Sequence, residues 1–108
     1  MSDATEYPSF SVETTFDGER ALVTVSGEID AATAGQIESA LTEAIERGPA
    51  IIEVDLGDVG FIDSSGLRAL IVSRQRAHDA GHTMMVVATT SAVDRLFELT
   101  GLAESFRP

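Results

Sequence analysis

The chain has 108 residues, of which 44% are hydrophobic, and this is enough for one domain with a buried core. Its formal net charge of −11 argues against nucleic acid and anionic membrane surfaces as partners, because both attract clusters of Lys and Arg. The sequence has neither cysteine nor lysine, which excludes disulfides, thiolate metal sites, phosphate-binding lysines and Schiff-base chemistry.

The start of the chain predicts a polar tail and a β-hairpin. Residues 1–9 lack the basic and apolar segments of a signal peptide, so we expect a flexible tail there and a cytoplasmic protein. No apolar run approaches the roughly 20 residues of a membrane span. We expect one domain over residues 10–108. It begins with FSVETTF and ALVTVSG, whose alternating apolar and polar residues around Asp17-Gly18 predict two antiparallel strands.

The first helix is predicted from Ala31 to Arg47, because apolar residues recur there at helical spacing. Gly48-Pro49 follows and ends the helix. Two residues are candidates for its N-cap. Asp30 is one, and Thr33 is the other, with Gln36 three residues later as the partner in a capping box.

The second half of the chain alternates strands and helices. AIIEVDL predicts a strand, and a helix follows from about Ser64 to Asp79. The continuous apolar run TMMVVA predicts a central strand. A last helix begins at a capping box of Ser91 and Asp94 and ends at Gly101. The order β-β-α-β-α-β-α predicts an α/β fold in which helices pack against a mixed sheet.

The segment FIDSSGLRAL places an acid and two serines at the start of the second helix. Asp63 is the predicted N-cap, and Ser64 and Ser65 fall in the first turn, near unpaired backbone N–H groups. A helical wheel puts Ser64 beside the buried face and Ser65 further from it, but periodicity alone does not select the functional serine. The wheel assigns three residues to that face, namely Leu67, Leu70 and Ile71.

Other kinds of site find little support in the residues. His78 and His82 have the spacing of a helical metal pair, but Ala80-Gly81 interrupts the helix between them and no third ligand is evident. The two serines do not fit the G-x-S-x-G nucleophile pattern of hydrolases. Asp55 could be a phospho-acceptor as in receiver domains, but that chemistry also requires a lysine, which this sequence lacks. We therefore predict no catalytic residues.

Three segments of the chain together resemble the STAS domain of bacterial anti-sigma factor antagonists. They are GEID, FIDSSGLRAL and VDRLFELTGL, and the resemblance extends from the first hairpin to Leu102. It implies a single STAS-like domain that is a regulatory protein and not an enzyme. The family commonly continues with a further strand and helix, whereas this sequence ends at Pro108, so the resemblance does not cover the packing of the last residues.

The resemblance also implies which residues are functional. In the family, the serine immediately after the aspartate is phosphorylated by a serine kinase that is itself the anti-sigma factor. The matching residue here is Ser64, and its neighbours Asp63, Ser65 and Gly66 belong to the partner-binding surface. Asp30 of the GEID motif matches a family position near the acceptor and at the kinase-binding surface.

The function implied by the resemblance is a switch between partners. The unphosphorylated protein binds the anti-sigma factor kinase and frees a sigma factor. Phosphorylation on Ser64 releases the kinase, and a phosphatase resets the switch. The chain itself needs no metal or cofactor, because ATP and Mg²⁺ belong to the kinase. The alternative is a STAS module of another system, such as a stressosome-like scaffold or a lipid-transport accessory subunit.

Overall fold

Strands and helices follow one another in the predicted order within residues 10–107, which the computed structural model describes. The tail predicted over residues 1–9 lies outside the described residues. The elements are β1 (Ser11–Asp17), β2 (Arg20–Ile29), α1 (Ala34–Arg47), β3 (Ile51–Ile62), α2 (Ser64–Asp79), β4 (Thr83–Ala88), α3 (Ser91–Thr100) and a short 3₁₀ helix (Glu104–Phe106).

The strands form one mixed sheet in the order β1-β2-β3-β4. β1 is antiparallel to β2, whereas β2, β3 and β4 are parallel to one another. One face of the sheet is buried against the helices, where Val23 of β2 pairs with Val54 of β3, and Ile52 of β3 pairs with Met84 of β4. The predicted α/β class, with helices packed against a mixed sheet, is confirmed.

Glycines mark two of the predicted turns. The hairpin turns at Gly18-Glu19, where Gly18 has a φ of 60°. α1 ends at Arg47 and is capped by Gly48, which has a φ of 83° and whose N–H donates to the carbonyl of Ile45. L side chains rarely adopt these φ values, so glycine fixes where each element stops.

Small residues form much of the buried face of α2. The helical wheel predicts Ile71 on this face, but Ile71 is 38% exposed, and that part of the prediction is wrong. Small side chains let a helix approach its neighbours closely, so the contact face is centred on them and not on the largest apolar residues. The buried residues of α2 are Gly66, Leu67, Ala69, Leu70, Ser73 and Ala77.

β3 is longer, and β4 more peripheral, than the sequence predicts. The predicted strand AIIEVDL continues through GDVGFI to Ile62, with two register shifts against β2. The prediction of a central strand for TMMVVA is wrong, because β4 lies at the edge of the sheet in the part of the chain that the structure describes. Val87 of β4 is 40% exposed. A continuous apolar run therefore does not distinguish a central strand from a partly sheltered edge strand.

The N-cap of α3 is Thr90, one residue before the predicted Ser91. The hydroxyl oxygen of Thr90 accepts a hydrogen bond from an N–H of the first turn and donates to the carbonyl of Val59 at 2.6 Å. A carboxylate oxygen of Asp94 accepts from the hydroxyl of Thr89 at 2.6 Å. The predicted capping box of Ser91 and Asp94 is therefore wrong, and the cap also attaches α3 to β3.

The residues that follow α3 fold back onto the core. Phe106 is 2% exposed, and its ring stacks on that of Phe97 with 5.2 Å between centroids. The guanidinium carbon of Arg74 in α2 lies 5.7 Å from the centroid of the Phe106 ring, within cation–π distance. This short C-terminal segment thus joins α2 and α3 through one aromatic side chain.

Candidate functional site

The candidate site lies where β2 and β3 end side by side. Ile29, the last residue of β2, pairs with Ile62, the last residue of β3. One residue further on, the N–H of Asp63 donates to the carbonyl of Ile29 at 3.1 Å. The turn that starts at Asp30 and the helix that starts at Ser64 are therefore adjacent. The structure brings together the two segments that the sequence singles out, GEID and DSSGL.

Asp63 is the N-cap of α2, as predicted. Its backbone is extended, and its carboxylate oxygen Oδ1 accepts hydrogen bonds from the N–H of Ser65 at 2.9 Å and of Gly66 at 3.3 Å. Its carbonyl accepts from the N–H of Leu67 at 3.0 Å. Such caps pair backbone donors that the helix geometry leaves free. The carboxylate thus already occupies two of the backbone donors at the start of α2, those of Ser65 and Gly66.

The two serines differ in exposure. Ser64 is exposed, whereas Ser65 is half-buried. The wheel places Ser65 further from the buried face than Ser64, and the structure corrects this detail. The reason is the centre of the packed face, which lies along Gly66 and Leu70 and not along Ile71. Ser64 therefore carries the more accessible hydroxyl.

Gly66 permits the close approach of α2 to the ends of the strands. A Cβ atom at this position would lie 2.3 Å from Cγ2 of Ile29 and 3.0 Å from Cγ1 of Ile62. Ile29 is fully buried, so it has little room to move away. Gly66 thus holds the serine-bearing turn against the sheet, and its predicted place in the partner-binding surface stays a prediction.

Asp30 shapes the turn between β2 and α1. Its Oδ1 accepts hydrogen bonds from the N–H of Ala32 at 2.9 Å and of Thr33 at 3.2 Å. The hydroxyl of Thr33 donates to the carbonyl of Glu28 at 3.0 Å and makes no cap bond to the helix. Thr33 thus occupies the N-cap position of α1, as predicted, but its capping box with Gln36 is wrong. Of the two alternatives, Asp30 organises the entry to α1, but it does so from within the turn before the helix.

The two strand ends carry several carboxylates. Glu28 and Asp30 lie on the β2 side, and Asp58 and Asp63 on the β3 side. Glu28 and Asp58 are exposed, while Asp30 and Asp63 are half-buried in the turns that they stabilise. Arg68, one turn into α2, is an exposed cation. A partner with basic groups would fit the acidic rim.

An apolar groove begins next to the serine-bearing turn. Phe61 at the end of β3 is 46% exposed, and Leu99 on α3 is 78% exposed. Large exposed apolar side chains that share a groove often mark an interaction surface. The sequence pattern does not reveal this groove, because the predicted strand AIIEVDL ends before Phe61. The groove measures about 410 Å³ and is lined by Phe61, Ile62, Ser91, Ala92, Arg95, Leu96 and Leu99.

The other candidate residues lie elsewhere in the fold. Residues 10–107 contain no group of three His, Cys, Asp or Glu residues that could hold a metal ion. His78 lies in the last turn of α2, and His82 follows the helix end. Oδ1 of Asp55 accepts a hydrogen bond from the N–H of Gly57 at 2.8 Å within β3. Among the described helices, none is long and apolar enough to cross a membrane.

Comparison with known proteins identifies the family. A family model described as the STAS domain matches residues 11–108. The anti-sigma-B factor antagonist of Staphylococcus aureus is 29% identical over 96 residues, which cover 89% of either chain. The crystal structure of an anti-sigma factor antagonist from Mycobacterium paratuberculosis is 32% identical, with a TM-score of 0.81 over 91% of this chain and 83% of that one.

A further likeness concerns the fold alone. The structure of the anti-sigma factor antagonist SpoIIAA in its unphosphorylated form is 21% identical and has a TM-score of 0.75. It covers 93% of this chain and 86% of that one. The resemblance inferred from three short segments is thus confirmed by matches along nearly the whole chain. The chain belongs to the STAS domain family, among relatives that are anti-sigma factor antagonists.

Proposed function

We propose that this protein is an anti-sigma factor antagonist that binds an anti-sigma factor serine kinase and is switched off by phosphorylation on Ser64. The antagonist assignment is supported by the relatives, which bear that name and match almost the full length of the chain. The observation that carries the switch is the exposed hydroxyl of Ser64, directly after the cap Asp63, where two strand ends meet.

Accessibility favours Ser64 over Ser65 as the acceptor. A kinase must bring the γ-phosphate of ATP in line with the serine hydroxyl, and this requires room around the oxygen. Ser64 is exposed at the first position of α2, whereas Ser65 is half-buried at the second. ATP and Mg²⁺ belong to the kinase, and this chain is its substrate, with no catalytic role and no cofactor of its own.

The surface around Ser64 suits a partner that is sensitive to charge. Asp63 directly precedes the serine, and Asp30 follows the adjacent end of β2. A phosphate adds a charge of about −1.5 to −2 at pH 7. A kinase surface that accepts the neutral hydroxyl would have to accommodate this charge and remove its water. Release on phosphorylation follows from that cost. A phosphatase then restores the binding form by hydrolysing the phosphoserine.

The apolar groove extends the proposed interface. Phe61 and Ile62 line the groove and come immediately before Asp63, so a partner that covers Ser64 also reaches the groove. We assign the groove to the same anti-sigma factor. Apolar side chains of the anti-sigma factor would bury Phe61 and Leu99, and one of its carboxylates would pair with Arg95 at the groove wall.

The test uses two serine variants as matched controls. The wild-type protein, Ser64→Ala and Ser65→Ala are incubated with the anti-sigma factor kinases of the source organism and with labelled ATP, and binding is measured by calorimetry. We expect label on the wild type and on Ser65→Ala, and no label but retained binding for Ser64→Ala. Label on Ser65 would refute the choice of serine. Selective capture of a transporter subunit or a scaffold complex would favour the alternative STAS systems.

A further inference from the structure

Arg68 lies one helical turn after Ser64 on the exposed side of α2. Residues four apart on a helix are surface neighbours, and an acidic group N-terminal to a basic one is the favourable order. Long helical side chains also lean toward the helix N-terminus. The guanidinium of Arg68 is therefore within reach of any group attached to the Ser64 oxygen.

No carboxylate on α2 competes for Arg68. Its neighbours at three and four residues' distance are Ser64 and Ser65 on one side and Ile71 and Val72 on the other, none of them acidic. Over the described residues 10–107 Arg68 makes no salt bridge. The ion pairs found there are Arg20–Glu53, Arg47–Glu43 and Arg107–Glu104.

The start of α2 offers a phosphate few other donors. The N–H groups of Ser65 and Gly66 already donate to the carboxylate of Asp63, and the N–H of Leu67 donates to its carbonyl. A phosphate on Ser64 would have to displace that carboxylate to reach them. It would also be repelled by Asp63 and by Asp30 on the neighbouring strand end. A cation on the same helix face is the better partner.

We propose that Arg68 binds the phosphoryl group of phosphorylated Ser64 and holds it on the surface of α2. This inference rests on the proposed function, because it concerns the phosphorylated form. The planar guanidinium presents parallel donors that match two phosphate oxygens. Arg68 then offsets part of the repulsion from the neighbouring acids through a contact within the chain.

The test installs phosphoserine at position 64 during translation, so that it needs no kinase. Phosphorus NMR then follows the phosphate through its second ionisation, which has a pKa of about 6 in an unperturbed phosphoserine. A neighbouring cation favours the doubly charged form and lowers this pKa. We expect the pKa in the otherwise wild-type protein to lie roughly 0.2 to 0.7 below that in Arg68→Gln, the difference that an exposed ion pair gives.

Two further variants are controls. Arg76→Gln removes a charge of the same kind from the same helix, but about 18 Å along the helix axis from position 64. This distance exceeds the screening length of about 8 Å, so the variant should leave the phosphate pKa unchanged. Arg68→Lys should lower it only in part, because an ammonium lacks the fork of donors. Equal phosphate pKa values in the phosphorylated wild-type protein and in phosphorylated Arg68→Gln would overturn the proposal. If kinases ignore Ser64 but the titration shows the pair, only the proposed function fails.

Discussion

Neighbouring residues at the start of α2 are constrained in different ways. Gly66 faces the sheet and has no room for a side chain, Asp63 is held by the hydrogen bonds of the cap, and Ser64 is exposed. Only the serine can therefore be modified without disturbing the fold. The tight packing at Gly66 keeps the position of the backbone that carries the serine defined.

Gly66→Ala should destabilise the protein by about 1–3 kcal/mol, the usual cost of overpacking a core. The added Cβ would lie 2.3 Å from Cγ2 of Ile29. Gly35→Ala in α1 is the matched control, because a Cβ there meets no atom within 4 Å, and the better helix propensity of alanine should stabilise by up to about 1 kcal/mol. Urea unfolding measures both, and equal stability of the two variants would contradict the proposed close approach of α2.

Asp30→Asn separates the charge of Asp30 from its hydrogen bonds. The amide oxygen can still accept from the N–H groups of Ala32 and Thr33, so we expect the free energy of unfolding to change little. Asp30→Ala loses these bonds as well and should cost about 0.5–2 kcal/mol, as for a lost cap. If the charge contacts the kinase, Asn should weaken binding several-fold and reduce its dependence on salt. If calorimetry shows an unchanged affinity of Asp30→Asn for the kinase, the role of Asp30 is only to stabilise the turn.

The choice between the two serines shows how far single residues can be predicted. The sequence correctly identifies Asp63 as the cap, because an acid directly before a helical apolar pattern is typical of an N-cap. The relative exposure of Ser64 and Ser65 is predicted wrongly, since the wheel weights large apolar residues such as Ile71. Glycine and alanine carry almost no hydrophobic signal, yet they form the closest packing.

The elements themselves were predictable where glycines and periodicity agree, as in the hairpin and at the C-terminal end of α1. The predicted start of α1 at Ala31 is wrong, because residues 31–33 form a turn held by Asp30 and the helix begins at Ala34. The other errors arise where the outcome depends on other elements. Nothing local in GDVGFI indicates that it continues β3 by pairing with β2. Likewise, Phe106 is buried against Phe97 of α3 and Arg74 of α2, and no local pattern around Phe106 indicates these contacts. Such pairings belong to the tertiary fold.

The pairing of β3 and α3 also creates the apolar groove, and Leu99 provides its test. Leu99→Gln should leave stability within about 0.5 kcal/mol, because the side chain is 78% exposed. If the kinase buries it, affinity should fall by about tenfold, as for the loss of a well-packed leucine contact. Phe16→Gln is the control, since Phe16 is 39% exposed near the hairpin turn, at the other end of the sheet. Equal effects of the two variants on calorimetric binding would exclude the groove from the interface.

For the molecule as a whole, charge and rigidity act together. A net charge of −11 on 108 residues opposes self-association and favours a partner with basic groups. The site stands on two strand ends and one helix start, which are linked by the bond from Asp63 to Ile29. Most of this site stands on regular elements, and the Asp30 turn is fixed by its own hydrogen bonds. A change in affinity for the partner must then come from a change in the charge of the surface and not from refolding.

Phosphorylation of Ser64 should therefore switch binding without refolding the protein. Within the chain, a phosphate gains about 0.3–1 kcal/mol near a helix N-terminus. It loses roughly 1 kcal/mol for each unit-charge pair about 4 Å apart in water, as with Asp63. With a phosphate charge of about −1.5 to −2 this repulsion reaches roughly 1.5–2 kcal/mol. The helix N-terminus and the proposed contact with Arg68 together offset most of it, so the melting temperature should change little.

At the interface with the kinase, from which water is excluded, charge repulsion is stronger than within the solvated chain. A close pair of like charges there costs roughly 4 kcal/mol at an effective dielectric constant of 20, and half of this already exceeds the 1.4 kcal/mol or so of a tenfold change in affinity. Ser64→Glu, with less charge and fewer acceptor oxygens, should release the kinase only in part. Amide chemical shifts and calorimetry on the phosphorylated and unmodified proteins provide the measurement. We expect shift changes confined to the start of α2 and the Asp30 turn, together with affinity lower by more than tenfold. Shift changes spread through β1 and β4 would instead indicate a conformational switch.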